Sequence, residues 1–167
     1  MSNTGETSPA AGAVDVREFV DSAPFSRYQK LLLALCFLTT FFDGFDTQAI
    51  AVAGPWIRDE MSLQPAQLGS VFAAGSLGGI VAAFAMAPFA DKIGRRPLIV
   101  GAMLIAGILS LCYTFAETFT QLLALRFSAG ICLAIAVTVT YAYSAELAPK
   151  RAAATAVMVT SAGFGLG

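Results

Sequence analysis

LLLALCFLTTFFDGFDTQAIAVA, residues 31–53, is the stretch that decides how this chain folds. It is apolar throughout except at Asp43, Gly44, Asp46 and a few small polar residues. A helix needs about 20 mostly apolar residues to cross ~30 Å of hydrocarbon, and this stretch has that length. A carboxylate in the middle of a bilayer costs about 3 kcal/mol or more, so two of them demand a reason.

Four further stretches extend the pattern. Leu68–Ala90 and Pro97–Ala116 are uncharged, Phe119–Ala145 carries one charge at Arg126, and a fifth begins at Ala152 and is cut off at Gly167. The composition agrees: 57% of the 167 residues are hydrophobic, 13% are charged, and the mean hydropathy is +0.73. Soluble domains carry about a quarter charged residues, so the chain belongs in a bilayer. The expectation is an all-α polytopic membrane protein with about four and a half spans (31–53, 68–90, 97–116, 119–145 and 152–167), preceded by a tail at 1–30.

Basic residues set the orientation. Arg17, Arg27 and Lys30 precede the first span, Lys92, Arg95 and Arg96 follow the second, and Lys150 and Arg151 follow the fourth. Only Arg58 falls on the other side, eight against one. The N-terminus is therefore expected in the cytoplasm, with Gly54–Gln67 and Ala116–Thr118 as outward loops. The first 30 residues lack a basic cluster ahead of an apolar run and do not read as a secretory signal. Within them, VDVREFVDSAPFSRYQK reads either as a short amphipathic helix at the membrane surface, with Val16, Phe19 and Val20 apolar, or as a plain linker.

Histidine is absent, which removes the usual neutral-pH proton shuttle and the commonest metal ligand. Proton chemistry must fall to carboxylates. Cys36, Cys112 and Cys132 lie in separate apolar stretches without paired spacing, and read as small core residues rather than a metal site or disulfide framework. Neither a metal nor another cofactor is expected.

Asp43 and Asp46 are three apart and share one helix face. At 1.5 Å per residue from Lys30 they lie roughly 20–24 Å from the cytoplasmic side. Arg126, about 10 Å in from Phe119 at the outer end of its span, comes to roughly the same depth. The three charges thus occupy one layer on antiparallel helices, where Arg126 neutralises one aspartate or an anionic ligand. A buried ion pair that merely fixes packing is the alternative, but intramembrane charges more often mark pathways and proton relays. An intramembrane aspartyl protease needs two acids sharing a site. Here both acids are on one helix and Asp91 sits at a span end, so an enzyme is not expected. Gly75–Gly79, and Gly130 with Ala134, place small residues at the spacing that lets membrane helices approach closely.

Residues 87–96, APFADKIGRR, are similar to the signature loop of the major facilitator superfamily through Asp91, Lys92, Gly94, Arg95 and Arg96, with Ala87 where that family usually has glycine. LRFSAGICLA, with Arg126 and Gly130, resembles its fourth-span arginine motif, and SAELAPKR, with Glu146, Pro149 and Arg151, its fourth-to-fifth-span loop. Within the superfamily, DGFD in the first span and the preceding DSAPFSRYQ resemble the aromatic acid:proton symporters. After Arg126 the chain lacks two glycines and a Pro-Asn pair common there, which leaves the exact substrate open.

The resemblance implies the N-terminal portion of a twelve-helix fold, in the cytoplasmic (inner) membrane of the cell, completed by a missing C-terminal half. It implies proton-coupled symport of a small organic anion, most simply a benzoate- or hydroxybenzoate-type carboxylate. Asp43, Asp46 and Arg126 would form the coupling site, Asp91 to Arg96 the cytoplasmic gate, and Phe41, Phe42 and Phe45 candidate stacking surfaces. The partners expected are the anion, the proton and the lipid bilayer, with no nucleic acid. A sugar or other metabolite carrier of the same superfamily, or a truncated membrane protein that does not transport, are the rival readings.

Overall fold

A computed structural model describes residues 26–85 and 94–167. Among the described residues there are five α-helices and no strand. They are α1 (Arg27–Glu60), α2 (Pro65–Ala85), α3 (Arg95–Cys112), α4 (Phe119–Leu147) and α5 (Ala153–Leu166). Short 3₁₀ turns at Tyr113–Phe115 and Lys150–Ala152 follow α3 and precede α5. Three stretches, Pro65–Phe84, Arg95–Phe115 and Phe119–Leu147, are long and apolar enough to cross a membrane. Helix α1 is longer, at 34 residues, but carries the two aspartates.

Helix starts follow from local chemistry. Ser26 caps α1, and its own N–H donates to Gln29 Oε1 at 2.9 Å, closing a capping box. Thr118 and Gln121 form the same device at α4. Pro65 opens α2 at the first helical position, where its missing N–H is no loss. Gly94 precedes α3 with φ 88° and ψ 150°, a conformation that is essentially glycine's alone.

The outward loop expected at Gly54–Gln67 is shorter than its sequence suggests. Helix α1 continues through Pro55 to Glu60, and only Met61–Gln64 remain between α1 and α2. Packing carries the helix past its proline. A Cβ at Gly54 would meet the Phe72 ring at 3.3 Å and Leu68 at 3.5 Å. One turn on, Ile57 and Met61 pack against a core of Ile50, Val71 and Leu122. The candidate amphipathic segment around Val16, Phe19 and Val20 lies outside the described residues.

Helix α4 is the hub, in contact with α1, α2, α3 and α5. Its crossing with α2 is made by glycines: a Cβ on Gly130 would collide with the Gly75 carbonyl, and one on Gly78 with the Phe127 carbonyl. The α1–α5 crossing uses the same means, with Gly44 against the Phe164 carbonyl and Gly163 against Thr40 and the Phe37 carbonyl. The Thr40 hydroxyl, fully buried, donates across that seam to the Thr160 carbonyl. Lipid offers no hydrophobic drive between apolar helices, so backbone approach and interhelical hydrogen bonds must hold the bundle.

Candidate functional site

Arg126 lies on the face of α4 turned into the bundle, and its side chain is 8% exposed. Room for it comes from α2. A Cβ at Gly75 would stand 3.0 Å from Arg126 Nε and 3.5 Å from Cζ, so the absent side chain of Gly75 houses the guanidinium. From there Arg126 Nη1 donates to Asp46 Oδ2 of α1 in a salt bridge, the aspartate being 14% exposed. The other oxygen, Oδ1, accepts from the Ser110 hydroxyl of α3 at 3.2 Å. One carboxylate thus joins three helices. A buried pair of this kind survives only when its remaining lone pairs are hydrogen-bonded, which is what Ser110 provides.

Asp43 is half-buried on the same helix and takes part in no salt bridge among the described residues. Of the two acids near Arg126, one is paired with it and the other has no ion pair among the described residues. The layer inferred by counting along the helices therefore contains an asymmetric site: Asp46 on the arginine, Asp43 beside it.

A cleft of about 1230 Å³ opens beside Asp46, between α1 and α3 with α4 at its back. Phe42, Phe45, Ser110 and Tyr113 line it, and Glu60 and Glu117 stand toward the end away from Arg95. Phe42 and Phe45 present exposed rings. Phe41 is not among the lining residues and packs edge-on against Phe42, with centroids 5.9 Å apart. The Tyr113 hydroxyl is buried and has no hydrogen-bond partner among the described residues.

At the opposite end, Gly94 starts the turn into α3 and the next two residues reach α4. Arg95 Nη2 lies 2.6 Å from Glu146 Oε1. Arg96 Nε donates to the Tyr143 hydroxyl at 2.6 Å, and its guanidinium lies over the Tyr28 ring of α1 at 5.2 Å. Gln29 Nε2 donates to the Leu147 carbonyl at 3.0 Å, tying the start of α1 to the end of α4. Pro149 opens the 3₁₀ turn, its carbonyl accepting from Ala152 N–H at 2.7 Å, and Arg151 is exposed. Asp91 and Lys92 lie outside the described residues.

Ser110 and Tyr113 are site residues that the sequence reading did not single out. A serine in an apolar span is ordinary, but depth would have marked this one. Fifteen residues from Arg95, at 1.5 Å each, put Ser110 roughly 22 Å from the basic end, level with Asp46 and Arg126.

Residues 36–167 match the model of the Major Facilitator Superfamily. The chain is 36% identical over 155 residues to the 4-hydroxybenzoate transporter PcaK of Pseudomonas putida, covering 93% of this chain and 35% of that protein. It is 33% identical over 159 residues to a gallate transporter of Pseudomonas putida (95% and 35%). It is 32% identical over 146 residues to the 3-(3-hydroxy-phenyl)propionate transporter of Escherichia coli (86% and 36%). The chain thus spans about a third of the length of these curated relatives. No solved structure matches it significantly.

Proposed function

The chain belongs to the Major Facilitator Superfamily, a family of integral membrane transporters, and we propose that it serves proton-coupled symport of small aromatic carboxylates of the benzoate or hydroxybenzoate type. The names of its relatives, carriers of hydroxylated aromatic acids, support the substrate class. One observation supports the coupling: a single buried arginine is held by one of two neighbouring carboxylates while the other lacks an ion pair.

The mechanism follows from that shortage of positive charge. With Asp46 ionised, Arg126 is satisfied and has little to offer an incoming anion. A proton on Asp46 removes its charge and frees the guanidinium to hold a substrate carboxylate by charge-assisted hydrogen bonds. A bound carboxylate in turn competes with Asp46 for the same donors. Each event favours the other, and this reciprocity is what couples two ligands. Asp43, on the same face one turn away, is the relay that delivers or removes the proton. The Phe42 and Phe45 rings supply apolar surface for an aromatic ring. Asp91, Lys92, Gly94, Arg95 and Arg96 belong to the cytoplasmic gate, which opens and closes as the two halves of the transporter rock about a midplane site, and Arg95 reaches Glu146 of the fourth-to-fifth-span loop motif. In this orientation the basic end and the N-terminus face the cytoplasm of the inner membrane.

The test is uptake of labelled 4-hydroxybenzoate by the natural full-length protein under an imposed proton gradient. Asp43→Asn is expected to abolish gradient-driven accumulation while substrate exchange across the membrane persists. Unchanged accumulation would refute the relay role. Uptake of neutral sugars, with no competition from benzoate, would replace the aromatic reading by that of a metabolite carrier.

A further inference from the structure

We propose that Ser110 is a positioning residue for proton coupling: its hydroxyl, donated from α3, holds Asp46 in the orientation in which it can pair with Arg126. This deepens the coupling role proposed above for Asp46 and rests on it.

The geometry carries the inference. Asp46 Oδ2 is taken by Arg126 and Oδ1 by Ser110 at 3.2 Å, so the two oxygens of one carboxylate are divided between α4 and α3. Ser110 is half-buried and lines the cleft beside Asp46. Among the described residues no backbone carbonyl receives its hydroxyl, unlike Ser128 and Ser144, which turn back onto carbonyls of their own helix. A serine hydroxyl in an apolar helix ordinarily makes that local bond. Here it is spent across the helix interface, on the one carboxylate that is paired with the arginine.

Few other groups compete for the role. Asp43 is the neighbouring acid on α1 itself, Arg126 is the charge facing from α4, and Tyr113 is the titratable neighbour in the 3₁₀ turn after α3. Helices α2 and α5 contain no titratable residue. Glu60 and Glu117 stand at the far end of the cleft. Of the groups around Asp46, Ser110 alone is uncharged at every pH and yet bonded to the carboxylate. Its hydroxyl fixes how the carboxylate is turned toward Arg126, so it acts on the coupling role through Asp46 and not through the substrate. It also links α3, which otherwise presents no charge to the pair, to the protonation state of α1.

Two readouts on the natural full-length protein test this. One is the pH of half-maximal uptake of labelled 4-hydroxybenzoate. The other is the pH at which the melting temperature of the purified protein falls as acid breaks the ion pair. Hydrogen bonds to charged groups are strong enough for Ser110→Ala to move both midpoints to higher pH by about one unit. Ser110→Thr, which keeps the hydroxyl, is expected to hold both near wild type. If Ser110→Ala fails to accumulate, Ser110→Cys, close in size and a weak donor, is expected to show a smaller shift in the same direction.

Midpoints that stay in place in the hydroxyl-free variant, or a melting temperature lowered equally at every pH, would overturn the proposal and leave Ser110 a packing residue. Asp46→Asn separates this failure from that of the underlying reading. If it removes the acid limb of the melting curve while Ser110→Ala leaves that limb in place, only the positioning role falls. If Asp46→Asn leaves accumulation and its pH dependence unchanged, Asp46 is no proton carrier and the coupling role falls with it. A shifted melting limb in a protein that takes up no 4-hydroxybenzoate upholds the positioning of Asp46 and overturns the choice of substrate.

Discussion

Replacing Asp46 by alanine leaves the guanidinium of Arg126, 8% exposed, buried with no opposing charge on it. Removing one partner of a buried pair costs about 3–5 kcal/mol, because the other charge keeps its desolvation penalty and loses its compensation. For a chain of this size about 1 kcal/mol corresponds to about 2–4 °C, so Asp46→Ala is expected to lower the melting temperature by roughly 6–20 °C. Replacing both charges changes the sign of the argument. With Arg126→Met added, no charge is left buried and the methionine fills most of the space, so the double variant should recover most of the loss. A double-mutant cycle measured by thermal unfolding in detergent reads the coupling directly, and about 2 kcal/mol or more is expected. Asp43→Ala is the control. It removes no ion pair among the described residues and should shift the melting temperature by only a few degrees, about 1 kcal/mol. A double variant that loses the sum of its two singles would refute the reasoning, since the charges would then be independent. Equal losses at positions 43 and 46 would refute the asymmetry.

The glycines give a second set of expectations. Gly130→Val should disrupt the α2–α4 crossing, because its side chain would run into the Gly75 carbonyl; the cost is about 3 kcal/mol or more, seen as loss of folded protein. Gly107→Ala, with nothing within 4 Å of the new Cβ, should be neutral or slightly stabilising in the same measurement. At the basic end, Gly94→Ala forces alanine to φ 88° and should cost about 1–3 kcal/mol in thermal unfolding. Glu146→Gln breaks a partly exposed ion pair, with side chains 35% and 58% exposed, and should change stability by less than about 1 kcal/mol. If it nevertheless slows uptake several-fold, the pair belongs to the gate rather than to the fold.

Much of this arrangement was legible in the sequence, and its limits have physical causes. Depth along a helix is fixed by the 1.5 Å rise, so the common layer of Asp43, Asp46 and Arg126 followed from counting. Which aspartate meets the arginine did not, because residues three apart share a face and only the rotation of α1 against α4 separates them. Small-residue spacing announced close approach at Gly75 and Gly130, but spacing does not name the facing helix, nor that Gly75 also makes room for a side chain. The end of α1 was hidden by Pro55 and by the charges after it, which read as loop until Gly54, Ile57 and Met61 are seen packed against α2 and the core. Ser110 was missed because hydropathy averages a lone hydroxyl away.

Positions 75, 126 and 130 also constrain how such a protein can change over generations. The carbonyl of Gly75 fills the space a side chain on residue 130 would need, and the missing side chain of Gly75 leaves the space that Arg126 fills. A lineage that shortened Arg126 would vacate that space, and an alanine or serine at position 75 would then be tolerated. Once it was fixed, an arginine returning to position 126 would have to sit a few tenths of an ångström away from its present place beside residue 75. Loss of the arginine is therefore a step more easily taken than reversed, because the space it leaves beside residue 75 is open to a small side chain.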